Sequence, residues 1–128
     1  MFAMAIAAYF EKFPTVGPLI SVEIVPDSRE IHGTTYGARR IQLRVGSQVD
    51  SAQLRVDWTL THELFHLAFP TLEDRYNWAQ EGLSTYLEPL ARVRLGQLRP
   101  EKVWSDLVSG LPQGLPQKGD AGLNSTPT

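Results

Sequence analysis

Apolar residues recur along this chain with two different spacings, and the change from one to the other divides it into a strand-rich first half and a helical second half. Leu19 to Val25 alternates apolar residues with Ser21 and Glu23, the period of a half-buried strand, and Pro26-Asp27 ends it. A second extended stretch lies within Gly33 to Val45. Its clearest part, Arg40 to Val45, sends Ile41, Leu43 and Val45 to one face before Gly46-Ser47 closes it. Ahead of both, Met4 to Phe13 reads as a short amphipathic helix closed by Pro14 and the Gly17-Pro18 pair.

From Ser51 to Ala68 the spacing becomes helical, with Leu54, Trp58, Leu64 and Ala68 near a three-to-four repeat, Ser51 as N-cap and Pro70 as a stop. A second helix is expected from Asn77 to Leu95, ending at Gly96, with a kink where Pro89 removes a backbone donor. A third covers Pro100 to Val108, with proline at the favoured first position. Trp58 and Trp78 fall at helical positions suited to core packing. From Gly110 to Thr128 glycines and prolines leave no periodicity. The pattern predicts an α+β core over residues 1–109, a small antiparallel or mixed sheet packed on helices. Residues 110–128 read as an extended tail leading to a C-terminal region that the chain lacks. Such a gap would leave apolar surface open to self-association.

Composition narrows the chemistry. A chain of 128 residues is one domain with a single modest core. The net charge of −2, with scattered Lys and Arg, gives no nucleic-acid footprint. No stretch reaches the roughly 20 apolar residues that span a bilayer. The apolar start, Met1 to Phe10, lacks the basic region of a signal peptide. There is no cysteine, so a metal would be held by His, Asp or Glu.

Within the first long helix stands His62-Glu63-Leu64-Phe65-His66. Residues four apart share a helix face, so both imidazoles can reach one point. Glu63 projects beside them, placed to take a proton from a metal-activated water. By chance this five-residue pattern arises in about one chain in 200 to 300 of this composition, so its context has to carry weight. Fifteen residues after His66 comes Glu81, on the second helix, completing a set of two His and one Glu. Glu73 and Glu88 are competing carboxylates. Glu73 falls in a connection, and Glu88 fits a supporting place behind the ligands better. Gly82, beside Glu81, predicts a close approach of the two helices.

His-Glu-x-x-His followed by Trp78-x-x-Glu81-Gly82-x-x-x-Tyr86 resembles the gluzincins, the thermolysin-like metallopeptidases, and most nearly their aminopeptidase N and glycyl aminopeptidase branches. The resemblance is concentrated in Asp57 to Tyr86. It implies one Zn2+ on His62, His66 and Glu81, with Glu63 as general base. It also implies peptide or protein substrates, held by a sheet edge strand above the active-site helix. The chain departs from the pattern in two ways. The interval from His66 to Glu81 is shorter than is usual in the aminopeptidase N branch. The Gly-x-Met-Glu-Asn segment of that branch is replaced by Gly33-Thr34-Thr35-Tyr36-Gly37, of which Thr35, Tyr36 and Gly37 are the candidate substrate contacts. Thr85, one turn after Glu81, is a candidate acceptor for the second N–H of a zinc-binding histidine. His32 reads as a surface histidine, and Asp57 as a surface or inter-helix salt-bridge partner. The rival readings are a non-catalytic zinc-binding or interaction domain of the same shape, and an inactive fragment of an active enzyme.

Overall fold

The computed structural model describes residues 7, 11, 17–70 and 72–119, so the expected helix from Met4 to Phe13 lies outside the described residues apart from Ala7 and Glu11. The first half forms three strands, β1 (Leu19–Val25), β2 (Ile31–Tyr36) and β3 (Arg40–Gly46). They make one mixed sheet in the order β1-β3-β2, with β3 parallel to β1 and antiparallel to β2. The range Gly33 to Val45, expected to contain one extended stretch clearest at Arg40 to Val45, therefore holds that strand as β3 and most of β2 beside it, joined as a hairpin. Its turn starts at Gly37, whose φ of 58° lies in the left-handed region that glycine enters without a steric cost.

Because β1 and β2 flank β3, the link between them must cross the end of the central strand. It does so at Gly46, which is buried under the link: a Cβ there would strike the backbone of Ser28. Hydrogen bonds fasten the crossing, from Gly46 N–H to Glu30 O (2.8 Å), Ser47 N–H to Val25 O (2.8 Å) and Gln48 N–H to Ser28 O (2.9 Å).

The expected helix from Ser51 to Ala68 is broken in two, α1 (Ser51–Val56) and α2 (Thr59–His66). Asp57 makes the break. It adopts extended backbone (φ −64°, ψ 142°), and its carboxylate accepts from the Thr59 N–H at 2.8 Å, restarting the helix. The N-cap of α1 is Asp50, one residue earlier than expected, accepting from the Gln53 N–H at 2.7 Å. A 3-10 turn (Asp74–Tyr76) then leads into α3 (Asn77–Arg94), which continues through Pro89, and α4 (Pro100–Gly110) follows. The tail begins with a further 3-10 turn, Leu111–Gly114, so regular structure runs past residue 109.

The core joins one face of β3 to α2 and α3: Ile41, Leu43, Leu64, Phe65, Leu67 and Ala91 are buried together. Both tryptophans expected there are instead half-exposed, Trp58 at 51% and Trp78 at 43%. Behind α3 lies an apolar groove lined by residues such as Val56, Val103, Leu107 and Leu111. Inside it, Glu88 and Arg92 form a buried ion pair at 2.9 Å, and the Arg92 guanidinium also donates to Val56 O at 2.7 Å, holding the α1–α2 break against α3. No helix among the described residues is long and apolar enough to cross a membrane.

Two glycines predict opposite mutational outcomes. A methyl group at Gly82 meets nothing, so the close helix approach expected there is absent. Gly82→Ala should therefore stabilise the protein by up to about 1 kcal/mol through helix propensity. Gly46→Ala forces backbone against backbone and should destabilise it by about 1–3 kcal/mol. Urea denaturation of both variants checks this, and a shift of the same sign in both would contradict it.

Burial pushes the Glu88 carboxyl above its ordinary value of 4.5, against the opposing pull of Arg92. A carboxyl whose pKa rises on folding holds its proton more tightly in the folded state. Its stabilising contribution is therefore complete below the unfolded value and is lost as pH climbs through the folded value. Relative to Glu88→Gln, the wild type should lose stability as pH rises from about 4 towards neutrality. A stability difference that stays constant over that range would refute the assignment.

Candidate metal centre

His62 and His66 lie one turn apart on α2, and both are sunk into the protein, with side chains 7% and 11% exposed. Glu81 reaches them from the second turn of α3 and is half-exposed. The start of α3 is tied to the link that follows α2 by a bond from Gln80 Nε2 to Pro70 O at 2.8 Å. Four candidate ligand atoms from these three residues converge: His62 Nε2 to His66 Nε2 is 3.1 Å, His62 Nε2 to Glu81 Oε2 is 3.1 Å, and His66 Nε2 to the other carboxylate oxygen, Glu81 Oε1, is 3.5 Å.

The donor set tests the fit of a metal. Two imidazole nitrogens 3.1 Å apart can share one proton, or both can turn lone pairs to a cation. Tetrahedral zinc with bonds of 2.0–2.1 Å separates its ligand atoms by about 3.3 Å, close to the observed spacing. Burial pushes the His66 imidazole below its ordinary value, against the pull of the Glu81 carboxylate, and so favours the neutral form that donates to metals. Competing carboxylates are out of reach. Glu73 is exposed and pairs with Arg75 at 2.9 Å, and Glu88 is committed to Arg92.

The expected supporting roles of Thr85 and Glu88 are not what the structure places there. Helix α3 runs antiparallel to α2, since Glu81 faces the histidines while Arg92 faces Val56. Each turn beyond Glu81 therefore moves towards the start of α2 and away from His66. Thr85 is exposed and, with Glu88, lines the apolar groove behind α3. The buried Nδ1 of His62 accordingly has no hydrogen-bond partner among the described residues. Asp57 serves the helix break and forms no inter-helix ion pair among the described residues.

Glu63 leaves α2 towards the sheet. It is buried, and the hydroxyl of Thr35 on β2 lies 2.8 Å from its Oε2 and 3.0 Å from its main-chain oxygen. Burial raises the carboxyl pKa, with the Thr35 bond and His66 opposing. Gly33, two residues along the same strand, lies directly against the Glu63 side chain: a Cβ there would strike Cγ and stand 2.7 Å from Oε1.

These groups share a cleft of about 540 Å3, walled also by Ile31, Gly37, Trp58 and Phe69. Trp58 stands edge-on to His62, ring centres 5.1 Å apart. Of the three candidate substrate contacts, Thr35 and Gly37 line the cleft, while Tyr36 does not. Side chains alternate across a strand, and Tyr36 points to the opposite face, 3.5 Å from Gln42. His32 is exposed at the cleft mouth, 3.0 Å from Glu30, as a surface histidine should be. No family model matches the chain, and no curated protein or solved structure matches it.

The contact at Gly33 makes a prediction. In Gly33→Ala the flexible Glu63 side chain, rather than the backbone, must yield and give up its bond to Thr35. The cost should be about 1–3 kcal/mol of stability, with the fold retained. Denaturation and a crystal structure of the variant check this; an unmoved Glu63 carboxylate would contradict it.

Proposed function

We propose that this chain is the core of a gluzincin-type metallopeptidase, which binds one zinc ion through His62, His66 and Glu81 and hydrolyses peptide bonds with Glu63 as general base. The observation that carries this reading is the convergence of two imidazole nitrogens 3.1 Å apart with the two oxygens of one carboxylate, at 3.1 and 3.5 Å, from the residues of the His-Glu-x-x-His pattern and the following helix. A purely structural zinc site needs no base beside it, yet Glu63 stands in the same cleft.

Zinc, when bound, supplies a Lewis acid that polarises a carbonyl and makes water acidic. The protein's own groups supply the rest. Glu63 Oε2 is engaged by Thr35, which leaves Oε1 to receive the water proton and hand it to the departing nitrogen. A carboxyl raised by burial is a stronger base than an exposed one and returns its proton less readily to solvent. The substrate main chain has a natural seat along β2. Gly46 bonds to Glu30, so the hydrogen-bonded pairs continue at His32 and Thr34. The N–H and C=O groups of Ile31, Gly33 and Thr35 therefore face away from β3, where an extended peptide can add as a further strand. Such a peptide would lie over the cleft that contains Glu63.

The test combines metal content with turnover. Purified protein given zinc should hold one equivalent, and His62→Ala or His66→Ala should lose it; unchanged zinc in the double variant would remove the centre. Zinc binding should also weaken on acidification, because protons compete for the same imidazole nitrogens. Glu63→Gln should retain zinc and lose about 10²- to 10⁴-fold in peptide hydrolysis. Near-wild-type turnover by that variant would eliminate the base. Stoichiometric zinc with no hydrolysis by the wild type would favour the non-catalytic zinc domain instead.

A further inference from the structure

Thr35 makes an unusual pair of contacts, both to one residue. Its single hydroxyl lies 3.0 Å from the main-chain oxygen of Glu63 and 2.8 Å from that residue's Oε2. The first of these atoms belongs to the last turn of α2, where helical carbonyls lose their intrahelical partners. The second belongs to the carboxylate itself. Opposite the same side chain, Gly33 leaves no room for a Cβ. Two alternate residues of β2 thus form a seat, with Gly33 as its floor and Thr35 as its clasp.

We infer that Thr35 is a positioning residue: its one hydroxyl hydrogen, shared between the main-chain oxygen and Oε2 of Glu63, ties the carboxylate to the end of α2 and sets the direction of Oε1, which lies beside Gly33 at the cleft wall. The inference rests on the reading of Glu63 as base, and it changes the part expected of Thr35, whose hydroxyl holds the base rather than the substrate. A glutamate side chain has three rotatable bonds, and the two contacts select one arrangement of them. Without the hydroxyl the carboxylate keeps its helix position but loses its direction. Valine has nearly the same shape as threonine and no donor, so Thr35→Val removes the tie without opening a void. Serine retains the donor.

Two measurements on the full chain test this, one independent of turnover. In protein labelled with 13C at glutamate carboxyls, the Glu63 signal is assigned by its loss in Glu63→Gln. Thr35→Val should move that signal in both zinc-free and zinc-loaded protein, and Thr35→Ser should return it to the wild-type position. In the zinc-loaded protein, Thr35→Val should lower kcat by about tenfold to a hundredfold while zinc stoichiometry and KM stay unchanged, as expected for a misaimed group. Thr35→Ser should again restore the rate. If Thr35→Val does not fold, Thr35→Ala carries the same two expectations. A Glu63 signal identical in wild type and Thr35→Val (or Thr35→Ala, where that variant is used), or a serine variant that fails to restore it, overturns the inference. A wild type without turnover refutes the peptidase reading alone, since the carboxyl signal still decides whether Thr35 holds Glu63.

Discussion

Everything in the described part of the molecule depends on the burial of one eight-residue helix, α2, between the sheet and α3. A helix of that length does not persist in water, because the cost of nucleating it is spread over too few hydrogen bonds. Leu64 and Phe65, 1% and 0% exposed, supply what the backbone cannot, each contributing about 1.5–3 kcal/mol by leaving water. The same eight residues point their functional groups in two further directions. His62 and His66 turn to α3, and Glu63 turns to β2. Packing and candidate chemistry therefore share one short element.

That arrangement places polar groups where water is scarce, and the protein compensates group by group. Glu63 has the Thr35 hydroxyl, and Glu88 has Arg92, which in turn donates to a carbonyl at the helix break. Removing one member of such a buried pair strands the other, which is why these contacts constrain geometry more than they add net stability. The histidines differ: they face each other and Glu81 at hydrogen-bonding distance, so that ring N–H groups and the carboxylate can satisfy one another.

Local patterns made much of this legible. The alternation in Leu19 to Val25 and Arg40 to Val45 gave two strands almost to the residue, and proline and glycine punctuation marked α3 and α4. Helical spacing placed His62 beside His66, and the family resemblance pointed to Glu81 as the carboxylate that lies with them. The errors came where a side chain overrode periodicity or where direction in space mattered. Asp57 splits the first long helix by capping with its own carboxylate, which apolar spacing does not register. Thr85 and Glu88 share a face with Glu81 on a helical wheel, yet the antiparallel run of α3 carries them past the histidines. Thr35 lies 28 residues from Glu63, and only the strand register brings the two together. Gly33 gave no cue beyond being a glycine on a strand, where a close neighbour is a known reason for its use.

The strand order also governs how the sheet can be assembled. Among the described strands, β1 and β2 are consecutive in the chain but separated by β3, so the first two cannot nucleate the sheet as a hairpin. The pair of strands adjacent in both chain and sheet is β2 and β3, joined by a short turn whose closure costs little chain entropy. The parallel partner β1 has to close a far longer loop to dock on the other side of β3. The pairing that closes the shortest loop is the one carrying Gly33 and Thr35, so the surface that receives Glu63 is also the part of the sheet with the smallest entropic cost of closure.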